Sequence, residues 1–262
     1  MGTSVVSSIT RMGTIEPFEL QVSRGQITGH RLVMMNGYNT DIDTAWESLW
    51  PVGGFINYPA AALQMKVSSS SANDTSAGTG ARTVLLSGLD ANYAEISEVV
   101  TLNGQTAVTT TNSFLRINGF TTATAGSGLA NAGDIYVGTG VVTAGVPATP
   151  YDVIPAGFNI RQTHAYTIPA GYTGYTVAAR FTLAQVSGTS AVWARLTQTG
   201  TDGIKKALSV AQLNNGPLVL PIGAPLPIPE KTTIAGEGMG DAVNNYCASF
   251  SQLILVANNG QA

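Results

Sequence analysis

The chain has 262 residues, and only 10% of them are charged, whereas about 25% of the residues of a typical soluble domain carry charge. The net charge is −3 and no run of Lys or Arg exceeds two residues, which argues against a basic surface for nucleic acid or for a membrane. No apolar run approaches the roughly 20 residues of a membrane-spanning helix, and the N-terminus lacks the pattern of a signal peptide. Because charge is depleted at the centres of protein interfaces, we interpret this composition as a surface that partner subunits cover. The alternative is an exposed sheet surface rich in Thr, Ser and Asn.

Residues 1–27 are predicted to form an N-terminal arm. Two β-prone pieces, Thr3–Ile9 and Phe18–Val22, are interrupted by Gly13, Pro17 and Gly25, so this segment cannot close a core by itself. An arm of this kind adds a strand to its own domain or to a neighbouring subunit, where main-chain hydrogen bonds supply the affinity.

An apolar run at residues 27–35 is predicted to be a strand, and a polar loop follows it at residues 36–44. Asp41 and Asp43 in this loop raise the possibility of a calcium ion, since alternate carboxylates can share a hard cation. The third oxygen ligand and the closing Glu of a calcium loop are missing. We therefore interpret the two residues as turn-capping aspartates.

Aromatic residues around this loop are the candidate interface residues. Trp46 and Trp50 lie four residues apart, which would place them on one face of a helical turn, and we predict that they are core or interface anchors. Tyr38 in the loop and Phe18 in the arm complete the candidate set.

Turn chemistry is most informative between residues 80 and 120. Strands are predicted at Arg82–Ser87, Tyr93–Leu102 and Val108–Ile117, with turns at residues 88–92 and at Asn103-Gly104. Asn-Gly between two β-prone runs is a strong hairpin signal, because both residues tolerate the positive φ of a type I′ turn.

The second half of the chain continues the same pattern. Gly174–Leu183 and Ala191–Gln198 alternate with period two, and the Pro-rich Leu218–Pro229 is predicted to be an edge or crossover segment. About 15 strands and no helix of consequence indicate an all-β fold of the antiparallel β-sandwich or jelly-roll type. We predict two packed sandwich modules, at residues 28–160 and 161–262, behind the N-terminal arm; one elaborated jelly roll is the alternative.

No arrangement of residues in the sequence indicates catalysis. Cys247 is the only cysteine, and we interpret it as a buried strand residue. His30 and His164 lie in no recognisable catalytic signature, and Glu95 and Glu98 are three apart on a predicted strand, so they point to opposite faces. We predict a protein that is not an enzyme and that has no metal ion and no cofactor.

An ordered series of segments resembles virion structural proteins of tailed bacteriophages. The segments are Gly37–Thr44 with Trp46–Trp50, Gly78–Val84, Gly88–Asp90, Val99–Gly104, Ile135–Gly140 and Ile168–Thr173. Together they span more than half of the chain. The resemblance implies a β-rich, non-enzymatic component of the virus particle and carries over no catalytic residues.

Several roles follow from this resemblance. The chain would associate with itself, as a trimer or hexamer, and dock on other virion proteins, as a capsid decoration (cement) protein or a head–tail or tail-fibre attachment protein. It would fold in the host cytoplasm, bind neither nucleic acid nor membrane, and reside in the virion. The alternatives are a receptor-binding fibre that contacts a host surface glycan and a carbohydrate-binding β-sandwich module.

Overall fold

Strands account for nearly all of the regular structure, which confirms the predicted all-β class. The structure, a computed structural model, describes residues 10–11, 14–184, 191–213, 216–220 and 225–258. Its elements are, in chain order, β1 (Thr10–Arg11), β2 (Thr14–Ile15), α1 (Phe18–Ser23), β3 (His30–Ile42), β4 (Glu47–Ser48), β5 (Leu63–Ser69), β6 (Ala81–Leu89), β7 (Glu95–Thr101), β8 (Val108–Phe114), β9 (Arg116–Ala125), β10 (Ile135–Thr143), β11 (Val146–Ile154), β12 (Ala165–Thr167), β13 (Tyr172–Ala184), β14 (Val192–Thr199), β15 (Lys205–Leu213), β16 (Gly216–Leu220), β17 (Pro227–Ile228), β18 (Thr233–Gly240) and β19 (Asn245–Ala257).

Within the described residues, the longer strands form four small antiparallel sheets. Two come from the middle of the chain, with the strand orders β11–β10–β5–β8 and β7–β6–β9. The other two have the orders β12–β18–β14–β15, joined by β4, and β16–β13–β19–β3, joined by β17. This arrangement resembles four propeller blades more than the two broad sheets of a jelly roll.

The hydrophobic side chains of these sheets pack in separate clusters. Met65, Leu86, Phe114 and Ile135 belong to one cluster, to which both of the middle sheets contribute. The other two sheets share clusters of their own, in which residues of β3, β13 and β19 face residues of β14 and β18. Burial of these apolar side chains is the main force that holds each pair of sheets together.

The long strand β3 pairs with the C-terminal part of the chain. Its residues from His30 to Ile42 run antiparallel to β19, with His30 opposite Val256 and Ile42 opposite Asn245. This pairing crosses the predicted boundary near residue 160. The middle sheets therefore lie, in sequence, between two segments that belong to the same sheet.

A buried ion pair fixes the segment that connects the middle sheets to β12. The Asp152 carboxylate at the end of β11 pairs with the Arg161 guanidinium and accepts a hydrogen bond of 2.6 Å from the Thr163 hydroxyl. Arg161 also donates to the Ala165 carbonyl at 2.9 Å. Burial raises the pKa of Asp152, and the Arg161 charge acts in the opposite direction.

The Asn103-Gly104 turn does not form the predicted hairpin. Gly104 adopts the predicted positive φ of 58°, but the strands on either side belong to different sheets, since β7 pairs with β6 and β8 pairs with β5. Non-local hydrogen bonds explain the difference: the Gly104 N–H donates to the Asp74 carbonyl at 2.8 Å, and the Ser69 N–H donates to the Gly104 carbonyl at 2.9 Å.

The predicted strand Val108–Ile117 is divided between two sheets. β8 ends at Phe114 and β9 begins at Arg116, and the buried Leu115 between them donates its N–H to the Leu89 carbonyl at 2.7 Å. A strand that changes sheets at a bend is a common way to make a corner between packed sheets. The hairpin of β6 and β7, in contrast, is confirmed, with Leu89 opposite Glu95.

The arm contains a helix where the sequence predicted a β-prone piece. The six residues of α1 begin after Pro17, whose carbonyl accepts hydrogen bonds from the N–H groups of Leu20 and Gln21. Val22 on this helix is buried against Ile254 of β19. Packing on the sheet therefore overrides the local strand preference. Within the described residues, no helix is long and apolar enough to span a membrane.

Asp74 holds three loops together at the end of the middle sheets. Its fully buried carboxylate accepts hydrogen bonds from the Ser69 hydroxyl at 2.6 Å and from the N–H groups of Ala81, Ala132 and Gly133 at 2.7–2.9 Å. Each donor would lose its partner if the carboxylate were removed.

We expect Asp74→Ala to lower the free energy of unfolding by about 3 kcal/mol in urea denaturation, because several buried donors lose their acceptor. Asp90→Ala is the matched control, since the Asp90 carboxylate accepts two N–H groups in the turn between β6 and β7 but lies at the surface. Its cost should be about 1 kcal/mol. Equal effects of the two substitutions would contradict this role for Asp74.

Candidate interaction surface

Trp50, one of the four predicted interface residues, is a core residue. Only 1% of its surface is exposed, and it packs against Ile56, Ala165 and Ala235. Its indole N–H donates to the Gly53 carbonyl at 3.0 Å. Of the two roles predicted for the tryptophans, Trp50 therefore has the core role, and its side chain is not available to a partner.

Trp46 lies at the surface, half-buried, with its ring over the Arg195 guanidinium at 3.9 Å from the ring centre. The predicted helical turn between the two tryptophans is absent. The residues between them form β4, because Glu47 and Ser48 pair with Gly238 and Glu237 of β18. The two indoles therefore have different environments, although they are close in sequence.

Glu237 is the centre of the contacts around Trp46. Its carboxylate is 2% exposed and forms ion pairs with Arg195 of β14 at 2.6 Å and with Lys205 of β15 at 2.5 Å. Arg195 Nε also donates to Glu237 Oε2 at 2.7 Å. A carboxylate this far from water requires such partners, because an unpaired buried charge is strongly unfavourable.

Each of the two cations is covered by an aromatic ring. Trp46 covers Arg195, and Phe55 covers Lys205, whose Nζ lies 4.2 Å from the ring centre. Cations over aromatic faces are attracted to the negative potential of the ring. We name these five residues the Glu237 cluster: Trp46, Phe55, Arg195, Lys205 and Glu237.

Glu47 shapes the loop that carries both aromatic rings. Its carboxylate accepts hydrogen bonds from the Asp43 N–H at 3.0 Å and from the Gly54 N–H at 2.9 Å, which brings the two ends of the loop together. Asn39 Nδ2 on β3 donates to the same carboxylate at 3.3 Å. The loop is thus fixed over the outer face of the sheet β12–β18–β14–β15.

Tyr38 and Phe18 lie apart from the Glu237 cluster. Tyr38 on β3 is half-buried, with its ring stacked on Tyr246 at 6.1 Å between centres and tilted against Phe158 at 5.9 Å. Phe18 on α1 is 41% exposed and meets the His30 ring edge-on at 5.9 Å. The structure therefore does not bring the four predicted interface residues into one surface.

The acidic residues that the sequence singled out have structural contacts. Glu95 pairs with Arg31 of β3 at 2.7 Å. The Glu98 carboxylate accepts the N–H groups of Thr111 and Asn112, both at 2.8 Å, at the edge of β8. Among the described residues, no group of three or more His, Cys, Asp or Glu side chains could hold a metal ion.

His164 is fully buried between the sheets, and neither ring nitrogen has a hydrogen-bond partner among the described residues. The ring fits because Gly236 has no side chain: a Cβ there would lie 2.1 Å from His164 Nδ1. Burial, with a smaller effect of the Arg161 charge, lowers the pKa of His164 to about 3. The imidazole is therefore neutral in the folded protein.

Sequence reasoning found only Trp46 of the Glu237 cluster. The alternating run Ala191–Gln198 contains the signal that Trp193 and Arg195 share one face of a strand. No local signal connects Arg195 with Glu237, because the register of β14 on β18 brings them together across 42 residues of sequence.

Comparison with known proteins assigns no family. No family model matches the chain, and no curated protein matches it. Among solved structures, a chain of the T13 particle of infectious bursal disease virus is 12% identical, with a TM-score of 0.26, and the match covers 88% of this chain and 70% of that one. A chain of the VP2 subviral particle of the same virus is 13% identical, with a TM-score of 0.24 and coverage of 88% and 73%. At this identity and TM-score, the likeness does not establish a relationship.

The Glu237 cluster predicts a large energetic cost for loss of the central charge. Glu237→Gln should lower the free energy of unfolding by about 3 kcal/mol, because Arg195 and Lys205 lose their buried counter-charge. Glu95→Gln removes a carboxylate of the Arg31 pair that is 42% exposed, and its cost should not exceed about 1 kcal/mol. Urea denaturation of both variants measures their free energies of unfolding. A loss for Glu237→Gln as small as that for Glu95→Gln would contradict the role of Glu237 as a buried counter-charge.

The buried His164 imidazole should make the stability of the protein depend on pH. The unfolded chain takes up a proton near pH 6.5 and the folded protein only near pH 3, so the unfolded state binds more protons between these values. The stabilisation is complete above pH 6.5 and is lost as the pH falls, by about 1.4 kcal/mol per unit for this group.

Denaturation of wild type and His164→Leu between pH 7 and pH 4 tests this effect. The difference in unfolding free energy between the two proteins should change by about 3 kcal/mol over this range, because only wild type carries the buried imidazole. His30→Gln retains the buried His164 imidazole, so it should keep the loss of stability that this group causes at low pH. A pH profile of His164→Leu that is parallel to wild type would contradict the prediction.

Proposed function

We propose that this chain is a non-enzymatic structural protein of a virus particle, of the tailed-phage type that its sequence resembles. In this role it associates with copies of itself and docks on other particle proteins.

The observation that carries the proposal is the number of exposed apolar strand residues on a chain with few charges. Met34 is 63% exposed, Val99 60%, Val141 74%, Val210 56% and Val219 58%, each on a different strand. Single exposed apolar side chains are normal, but a soluble monomer usually surrounds them with charged residues. With 10% charged residues, this surface is better suited to contact with other subunits.

The chemistry of the described residues supports a role other than catalysis. Glu95 and Glu98 are engaged in structural contacts, and His164 is enclosed without a partner. Cys247 is buried, which raises the pKa of its thiol to about 12, so it is a poor nucleophile.

Three roles within the particle remain in this proposal: capsid decoration, head–tail attachment, and tail-fibre attachment or receptor binding. We propose the N-terminal arm as a latch on a neighbouring subunit. We also propose two structural modules, with one core in residues 63–154 and the other formed by β3 together with β12–β19. A chain with a single cysteine needs no oxidising compartment to fold, which fits the host cytoplasm.

A cleft between β3 and the middle sheets favours the glycan-binding alternative. It has a volume of about 290 Å³ and is lined by polar groups of Arg31, Glu95, Ser97 and Asn118 beside Tyr166. Groups of this kind form hydrogen bonds with sugar hydroxyls. Retention of the isolated protein on a glycan column would support this second candidate.

Native mass spectrometry of the purified protein tests the main proposal. We expect a trimer or hexamer at micromolar concentration, because association buries apolar surface. Mass spectrometry of purified particles should also detect the chain, and its copy number separates decoration, in hundreds of copies, from attachment in six or twelve.

Two results would overturn the proposal. One is a monomer at every concentration up to about 100 µM, well above the dissociation constants of stable interfaces. The other is the absence of the chain from intact particles.

A further inference from the structure

We infer that residues 3–9 of the N-terminal arm bind to a neighbouring copy of this chain, where they add a strand to the open edge of β3 beside α1. The inference rests on the proposed function, because it names the acceptor for the latch proposed there. Residues 3–9 lie outside the described part of the chain, and the acceptor lies within it.

β3 is an edge strand. It pairs with β19 on one side, and no strand among the described residues pairs with its other side. The Ala257 N–H donates to the Gly29 carbonyl at 2.8 Å, and the register of β3 on β19 continues from there without a shift past Met34. Because hydrogen-bonded pairs alternate along antiparallel strands, the backbone groups of Leu32 and Met34 point to the open edge. Unpaired groups of this kind are a template for a strand from another chain.

An apolar groove lies on the same part of β3. It is formed between α1 and the first residues of β3 and has a volume of about 480 Å³. Its lining includes Val22, Ser23, Gly25, His30, Leu32 and Met34. Met34 is 63% exposed, and it shares one face of β3 with His30 and Leu32, because alternate strand residues point the same way. The groove therefore offers apolar surface to the side chains of a strand that pairs with the open edge.

The sequence of residues 3–9 matches this acceptor. Four of the seven residues are Thr, Val or Ile, which favour strands, and no side chain before Arg11 carries a charge. In an extended segment Val5 and Ile9 point to the same side, where the groove accepts them. Main-chain hydrogen bonds along the edge supply affinity, and the two apolar side chains supply specificity.

The base of the arm is fixed next to the groove. The Glu16 carbonyl accepts a hydrogen bond of 2.8 Å from Gln21 Nε2, and the Glu16 carboxylate forms an ion pair with Arg24. The hairpin of β1 and β2 places Thr10 opposite Ile15, directly before Glu16. The arm segment therefore leaves the chain next to the helix that forms one wall of the groove, and donor and acceptor lie on the same side of the molecule.

A second copy supplies the segment, because the segment that fits the groove is part of this chain. Arm and groove are different surfaces, so each copy gives its arm to one neighbour and receives the arm of another. Repetition by rotation closes such contacts into a ring, as in the proposed trimer or hexamer. The same exchange covers the open edge of β3 in every copy, which prevents uncontrolled pairing at this edge.

Two variants separate the arm from the groove. A chain that lacks residues 2–9 keeps every described residue, whereas Met34→Glu keeps the arm and places a charge at the groove. We expect each variant alone to associate at least tenfold more weakly than wild type in analytical ultracentrifugation, since burial of an unpaired carboxylate opposes strand addition. An equimolar mixture should form a one-to-one complex, because one chain supplies the arm and the other supplies the groove.

Val219→Glu is the matched control. Val219 on β16 is 58% exposed and lies at the other end of the same described sheet, so this substitution introduces the same charge away from the groove. Its association should remain within about twofold of wild type. Circular dichroism confirms that each variant is folded, and Met34→Lys replaces Met34→Glu if that variant does not fold.

A mixture of the two variants that forms no complex would overturn the inference, because an arm that fills only the groove of its own chain cannot link copies. Association of the truncated chain as strong as that of wild type would overturn it too. Both results leave the proposed function intact. Wild type that remains monomeric would overturn the inference and the proposed function together.

Discussion

One buried carboxylate determines the shape of the outer face of the sheet β12–β18–β14–β15. Glu237 holds a cation from each of two other strands, Arg195 and Lys205, and those cations support the rings of Trp46 and Phe55. The pairing of β4 with β18 holds the loop that carries the rings against the same sheet. The Glu47 carboxylate closes the loop, and Trp50 anchors it in the core.

The remainder of the fold depends on contacts between segments that are distant in sequence. β3 belongs to a sheet of the C-terminal part of the chain, and the middle sheets are held beside it by the Asp152–Arg161 pair and by the Arg31–Glu95 pair. Asn118 adds two hydrogen bonds, because its amide donates to the Thr167 carbonyl and accepts from the Thr167 N–H. These polar contacts position the sheet that carries the Glu237 cluster relative to the middle sheets.

The sequence predicted the local conformation of each segment better than it predicted which strands pair with each other. Period-two alternation and turn residues gave the all-β class and the hairpin of β6 and β7, and Gly104 has the positive φ expected of it. The partner of β8 could not be predicted, because it depends on hydrogen bonds that Gly104 makes with residues about 30 positions earlier. Trp46 was recognised as an anchor from its residue type. Glu237, on which the position of Trp46 depends, was not recognised, because its contacts are with residues distant in sequence.

The most direct measurement of the central claim is hydrogen exchange of the Gly54 N–H in wild type and in Glu237→Gln. We expect faster exchange in Glu237→Gln, because the cations that support the rings of the loop lose their buried carboxylate. An exchange rate at Gly54 that is the same in Glu237→Gln as in wild type would contradict the account.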